Sequence, residues 1–214
     1  MFILGAFLWY KNAMINIGTV FKYRLKLYKA VGGESHNFIP VLRNAVTQSG
    51  LAFVEKGNKA RVYVYLGAGK EEESFAEIAE IFLTVYSGPE EIKTKLAPYF
   101  EGSGFVLKAV ELIPYHLSNV QHLISHVCYK VKDVRGDVEK ALSLCPKAER
   151  KFLYSIKRLS ADEVEIIMKI NPSGSFTPVQ ELLKLLRFDV RREDYKATRI
   201  ALYWVDTKGA LQEI

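Results

Sequence analysis

Three groups of side chains in this sequence are of types that carry chemistry. The first is Ser35-His36, a hydroxyl beside an imidazole just ahead of an apolar helical pattern. A histidine at a helix start can act as a general base, because its ordinary pKa lies near neutrality. No second partner stands at a telling spacing, and Ser35 also suits a capping role. The second group is His116, His122, His126 and Cys128. A continuous helix would bring His122 and His126 to one side, with Cys128 as a further metal ligand. A helix-to-strand change expected near Ile124 would separate them. The third group is Lys22, Arg24, Lys26 and Tyr28, which alternate with Phe21, Tyr23, Leu25 and Leu27. Period two sends the cations to one strand face and the apolar residues to the other. Lys59, Arg61, Tyr63 and Tyr65 supply a similar set further on. Cations of this kind hold phosphates and tyrosine rings stack bases. The run Glu71–Glu73 reads as a solvated turn, since adjacent carboxylates repel, and no partner carboxylate marks a magnesium site.

These groups must be positioned by regular elements. The stretch Val20–Tyr28 reads as a strand. Gly32-Gly33 breaks it, and a helix follows with Asn37 as N-cap, Pro40 in its first turn and Gly50 as its stop. Leu51–Glu55 is extended, Gly57-Asn58 a turn, and Arg61–Leu66 a second strand. A polar loop over Gly67–Ser74 leads to a strand from about Ala79 to Tyr86, where Ile, Phe, Thr, Val and Tyr crowd together. Pro89 opens a helix with Glu90 and Glu91 in its first turn, and Gly104–Leu112 is the next strand. The second half repeats the order: a short helix at Asn119–Ile124, a strand at Val127–Val131, a helix capped by Asp137, and strands at Phe152–Ile156 and Val164–Ile170. A capping box with proline at Thr177-Pro178-Val179-Gln180 opens the last helix. Thr198–Val205 is the last strand.

Strand–helix–strand–strand–helix–strand twice over is the ferredoxin-like order. The expected fold is therefore α+β, two tandem ferredoxin-like (βαββαβ) modules at 20–115 and 116–214, with 1–19 as an N-terminal extension that can lie upstream of the true start, since Met14 is a second candidate. In this topology the first strand is central, so its cationic face is expected on the open side of the sheet.

Composition sets the bounds. The chain has 214 residues, 49% hydrophobic and 25% charged, which is ordinary for a soluble chain of one or two domains. Its net charge of +6 favours an acidic partner such as nucleic acid. Two cysteines without a CxxC spacing exclude a disulfide framework and fit a reducing cytoplasm. The apolar run Met1–Tyr10 is far shorter than the ~20 residues of a membrane helix, so no membrane partner is expected. No motif demands a cofactor.

The residues Lys29, Gly32, Ser35-His36, Ala45 and Gly50-Leu51, with Gly174-Ser175 and Arg199-Ile200-Ala201-Leu202-Tyr203 near the end, carry a family likeness. On them the chain resembles the bacterial radical SAM-linked protein family, encoded beside or fused to a cobalamin-binding radical SAM protein. Three of the family's segments depart here: an aspartate after Ser-His is displaced by Asn37-Phe38, a Gly-Phe-Asn-Pro-Arg-Pro segment is reduced to 57–61, and a Pro-Leu-Pro-Leu-Gly run survives as Leu66-Gly67-Ala68-Gly69. The resemblance implies a non-catalytic accessory to radical SAM chemistry on RNA, with RNA (tRNA or rRNA) or a radical SAM enzyme as partner. An RNA-processing enzyme using His36 and a protein–protein scaffold are the alternatives.

Overall fold

The computed structural model describes residues 19–214 except 34, 66, 67, 69–71, 117, 118, 135, 146–149, 171–182 and 184–195. In chain order the elements are β1 (Phe21–Lys29), α1 (Ser35–Gln48), β2 (Val62–Tyr65), β3 (Glu73–Leu83), α2 (Pro89–Leu96), β4 (Phe105–Ile113), α3 (Val120–Leu123), β5 (His126–Lys132), α4 (Val138–Leu144), β6 (Leu153–Arg158), β7 (Val164–Lys169), β8 (Lys196–Val205) and β9 (Leu211–Glu213). The fold is mixed α+β. Its strands are hydrogen-bonded in the order β4-β1-β3-β8-β5-β7-β6, with β2 on β3 and β9 on β8. The pairing is mostly antiparallel, as in β5–β7, β5–β8, β6–β7 and β8–β9, while β3 pairs with β8 in parallel.

The chain divides into two compact units. One draws on the chain up to Leu27, Glu34–Val64 and Ile78–Leu117; the other on Tyr28–Gly33, Tyr65–Glu77 and Ser118–Ile214. In the first, alternation along β1 sends Tyr23, Leu25 and Leu27 inward, all without exposure. They meet Phe38, Leu42, Ala45 and Val46 of α1, Ile92 and Leu96 of α2, and Ala79, Ile81 and Leu83 of β3. Phe38 stacks on Phe105 at 4.3 Å between ring centroids and tilts against Phe100 at 5.8 Å. Pro89 sits in the first turn of α2 with Glu90 and Glu91, favourable at the positive end of the helix dipole. In the second unit, Val127, Tyr129 and Val131 of β5 and Val164, Ile166 and Met168 of β7 are buried. Asp137 caps α4 as expected, accepting from the N–H groups of Glu139 and Lys140.

The structure corrects several boundaries. Helix α1 starts at Ser35, so Asn37 lies within it instead of capping it, and Pro40 is interior. Strand β3 starts at Glu73, not near Ala79, and ends at Leu83. Its polar beginning reads as loop because Glu73, Glu77 and Glu80 are carboxylates. Glu77 and Glu80 are nevertheless 1% and 0% exposed, each facing cations. Glu73 is likewise in the strand, where its carboxylate accepts from the Tyr28 and Thr198 hydroxyls, instead of in a solvated turn. Of β2 and β3, between which sequence leaves the neighbour of β1 open, it is β3 that lies beside it. The hairpin strand β9 is one more than two βαββαβ modules contain. The helix expected from Thr177 falls outside the described residues, apart from Leu183, which is helical and fully buried.

Candidate nucleic-acid interface

The cationic face of β1 is where alternation places it, but it is not open. Lys22 is 1% exposed, with its Nζ 3.1 Å from one Glu80 carboxylate oxygen; an Arg24 nitrogen lies 3.5 Å from the other. Lys26 pairs with Glu111 of β4 at 3.0 Å. Tyr28 donates to Glu73 at 2.7 Å, and this hydrogen bond raises the Tyr28 pKa. The expectation of a free basic face on β1 is thus corrected: burying two cations without a carboxylate is costly, and Glu80 supplies one. Tyr65 is 2% exposed and is no stacking surface either.

The other half of the expected set has a different environment. Gly57 and Asn58 have φ of 60° and 58°, as the central residues of a type I′ hairpin turn require. The Lys56 N–H donates across this turn to the Lys59 carbonyl at 2.8 Å, and Glu55 bridges Ala60. The turn therefore presents Lys56 and Lys59, both exposed, at its corners. The chain returns through Arg61, whose N–H donates to the Val54 carbonyl at 2.7 Å. The Arg61 guanidinium lies 4.3 Å over the Phe82 ring centroid and 5.5 Å from that of Tyr63. Lys56 Nζ lies 5.9 Å from the same Tyr63 ring. Phe82 meets Tyr63 and Tyr115 edge-on at 5.6 and 6.4 Å. Burial pulls the Arg61 pKa down, but the Tyr63 and Tyr115 hydroxyls outweigh it and leave the pKa raised, so the cation is retained. Tyr115 is 52% exposed. Among the described residues no carboxylate lies within ion-pair distance of Lys56, Lys59 or Arg61.

Sequence reasoning missed Lys56 and Tyr115 in this cluster. Lys56 borders the Gly57-Asn58 turn, a signal that was available. Tyr115 was read only as a module boundary, and nothing local ties it to Phe82.

The second unit holds a buried charge network that sequence reasoning did not assemble. Arg199, fully buried on β8, pairs with Glu77 at 3.0 Å. The Ala68 N–H donates to the same Glu77 oxygen at 3.0 Å. Burial pushes the Glu77 carboxyl up, against the lowering effects of Arg199, Ser74, the Ala68 N–H and Lys29. Lys29, also fully buried, donates to the Glu72 carbonyl at 2.5 Å; burial lowers its pKa. The Arg199 guanidinium lies 5.9 Å from the Tyr129 ring centroid, and burial pushes the Tyr129 phenol up. The Glu72 carboxylate lies 4.0 Å from Arg199 and is 27% exposed, so it brings a second negative charge to the network from its solvent side.

The remaining candidates are quickly placed. Ser35 and His36 open α1, and their side chains lie outside the described residues. Helix α3 ends at Leu123 and His126 opens β5, so the helix-to-strand change falls where expected and puts His122 and His126 on different elements. Among the described residues no group of three or more His, Cys, Asp or Glu is placed to hold a metal. Glu71 lies outside the described residues. No described helix is long and apolar enough to cross a membrane.

No protein-family model matches the chain, and no curated protein matches it. Among solved structures it is similar to one described as the crystal structure of an unknown protein from Galdieria sulphuraria, at 13% identity over 85% of this chain and 99% of that chain, with a TM-score of 0.29. A likeness of that size carries no argument about fold or function.

Proposed function

We propose that this chain is a non-catalytic accessory protein that binds single-stranded segments of RNA through Lys56, Lys59, Arg61, Tyr63 and Tyr115. The observation that carries this reading is a set of three cations without carboxylate partners among the described residues, two of them, Lys56 and Arg61, against aromatic rings, in a cluster where Tyr115 is half exposed. Such a surface combines the two things a nucleic-acid strand offers, phosphate charge and flat base faces. The strands fall into two like sets, β4-β1-β3-β2 and β8-β5-β7-β6. Each is the fourth, first, third and second strand of its half, which supports reading them as tandem ferredoxin-like modules. The radical SAM enzyme as partner, and tRNA or rRNA as the RNA, rest on the resemblance at Lys29, Gly32, Ser35-His36 and Arg199–Tyr203 alone. Lys22, Arg24 and Lys26 are not part of the proposed surface, because their charge is already met by Glu80 and Glu111.

The test is binding of fluorescent tRNA and rRNA fragments at several salt concentrations. Three engaged cations predict a slope of log affinity on log salt of about −2, from ~0.7 per single-strand phosphate contact. The Lys56→Gln, Lys59→Gln, Arg61→Gln triple variant flattens that slope. Equal binding by wild type and triple variant refutes the surface as the RNA site.

A further inference from the structure

We infer that the apolar groove beside Tyr115 seats a single base of the bound strand, an inference that rests on the reading of the Arg61 surface as an RNA site. The groove is shallow and open to solvent, has a volume of about 300 Å³, and is walled by Phe21, Leu112, Ile113, Pro114 and Tyr115, with Thr19, Val20 and Lys22 also in its lining. That volume is at the lower end of the ~300–1,000 Å³ of small-ligand clefts, room for one planar ring and not for a strand. Tyr115 belongs both to the groove and to the ring cluster: it meets Phe82 edge-on, and Phe82 lies under the Arg61 guanidinium. Tyr115 therefore links the cation-bearing ring cluster to the apolar slot. The polyanion that fits this pairing has a charged backbone with flat, largely apolar side groups at short intervals. Phe21 is held by an edge-on contact with Tyr86 at 5.7 Å, so the groove wall is braced before any ligand arrives. An extended apolar peptide would fill the slot but would leave Lys56, Lys59 and Arg61 unmatched, which is why RNA is the preferred occupant.

The experiment uses the full chain and two labelled RNAs of equal length, one with bases and one abasic at every position, so that phosphate charge is identical. A stacked base in the groove predicts about tenfold tighter binding of the base-bearing strand. Leu112→Ser, an uncharged change at a residue 45% exposed, removes most of that difference while abasic binding stays unchanged. A 4-thiouridine strand, irradiated in the complex, crosslinks to the peptide carrying Leu112–Tyr115. If both strands bind equally and with the predicted salt slope, phosphate binding by Lys56, Lys59 and Arg61 stands, base stacking on Tyr63 and Tyr115 falls, and the groove inference is overturned. If neither binds, both readings fall. If the base-dependent difference emerges only when the chain before Thr19 is removed, the groove is that segment's seat and the inference fails.

Discussion

Arg199→Met removes a fully buried cation from Glu77 and leaves a buried carboxylate without its nearest charge partner. Breaking a buried pair in this way costs about 3–5 kcal/mol. The methionine fills most of the aliphatic volume, so the loss reports charge more than packing. The direction of the Glu77 shift adds a pH signature. In the native protein burial already holds the Glu77 carboxyl above its ordinary value of 4.5, with Arg199 opposing. Without Arg199 that carboxyl rises further. A carboxyl raised in the folded state contributes stability that is fully present below the unfolded pKa and is lost as pH rises through the folded one. The deficit of Arg199→Met relative to wild type is therefore small near pH 4.5 and grows toward neutrality. Glu77→Gln gives the reference: it lacks the titrating group, and its deficit changes less over the same window. Urea unfolding of all three proteins, followed by far-ultraviolet circular dichroism at pH 4.5 and pH 7, measures both quantities. A cost below about 1 kcal/mol at pH 7, or a deficit for Arg199→Met that is the same at both pH values, refutes the account of this network.

Other outcomes follow from the same structure. Glu80→Gln leaves Lys22 and Arg24 facing an amide and lowers stability by about 3–5 kcal/mol, read as a shift of the urea midpoint at constant slope. Phe38→Ala empties the stack on Phe105 and costs about 3–5 kcal/mol by the same measurement. Burial pushes the Cys128 thiol up to about 12, with Glu165 and Glu213 adding to the rise, so at pH 8 a thiol reagent leaves it unmodified in the folded protein and labels it in urea.

Much of the fold was legible because it rests on local pattern. Alternation along Val20–Tyr28 and Arg61–Leu66 marked strands, the readings at Gly104–Leu112, Val164–Ile170 and Thr198–Val205 overlap β4, β7 and β8, and Pro89 with two following acids marked α2. Asp137 marked α4. Strand β3 was misplaced because Glu73, Glu77 and Glu80 look like solvent-facing residues when read in line. Their partners lie elsewhere in the sequence: the Tyr28 and Thr198 hydroxyls for Glu73, Lys22 and Arg24 for Glu80, and Arg199, at a separation of 122 residues, for Glu77. Strand β9 was missed because three residues carry no period. Its hairpin is set by Asp206, which accepts from the Lys208 and Ala210 N–H groups and from the Gln212 side chain.

The candidate site divides in the same way. That Lys22, Arg24 and Lys26 share one strand face follows from the two-residue period alone, and the turn at Gly57-Asn58 follows from its residue types. Whether those cations meet water or a carboxylate does not follow, because hydrogen bonding between strands distant in sequence decides which acid stands opposite. Tertiary structure brought Glu80 to Lys22 and Arg24, and Glu111 to Lys26. It left Lys56 and Arg61 against the rings of Tyr63 and Phe82, with Lys59 exposed at the adjoining turn. The sequence determined which side chains carry charge and which face of each strand they occupy; strand pairing determined which of those charges are already answered.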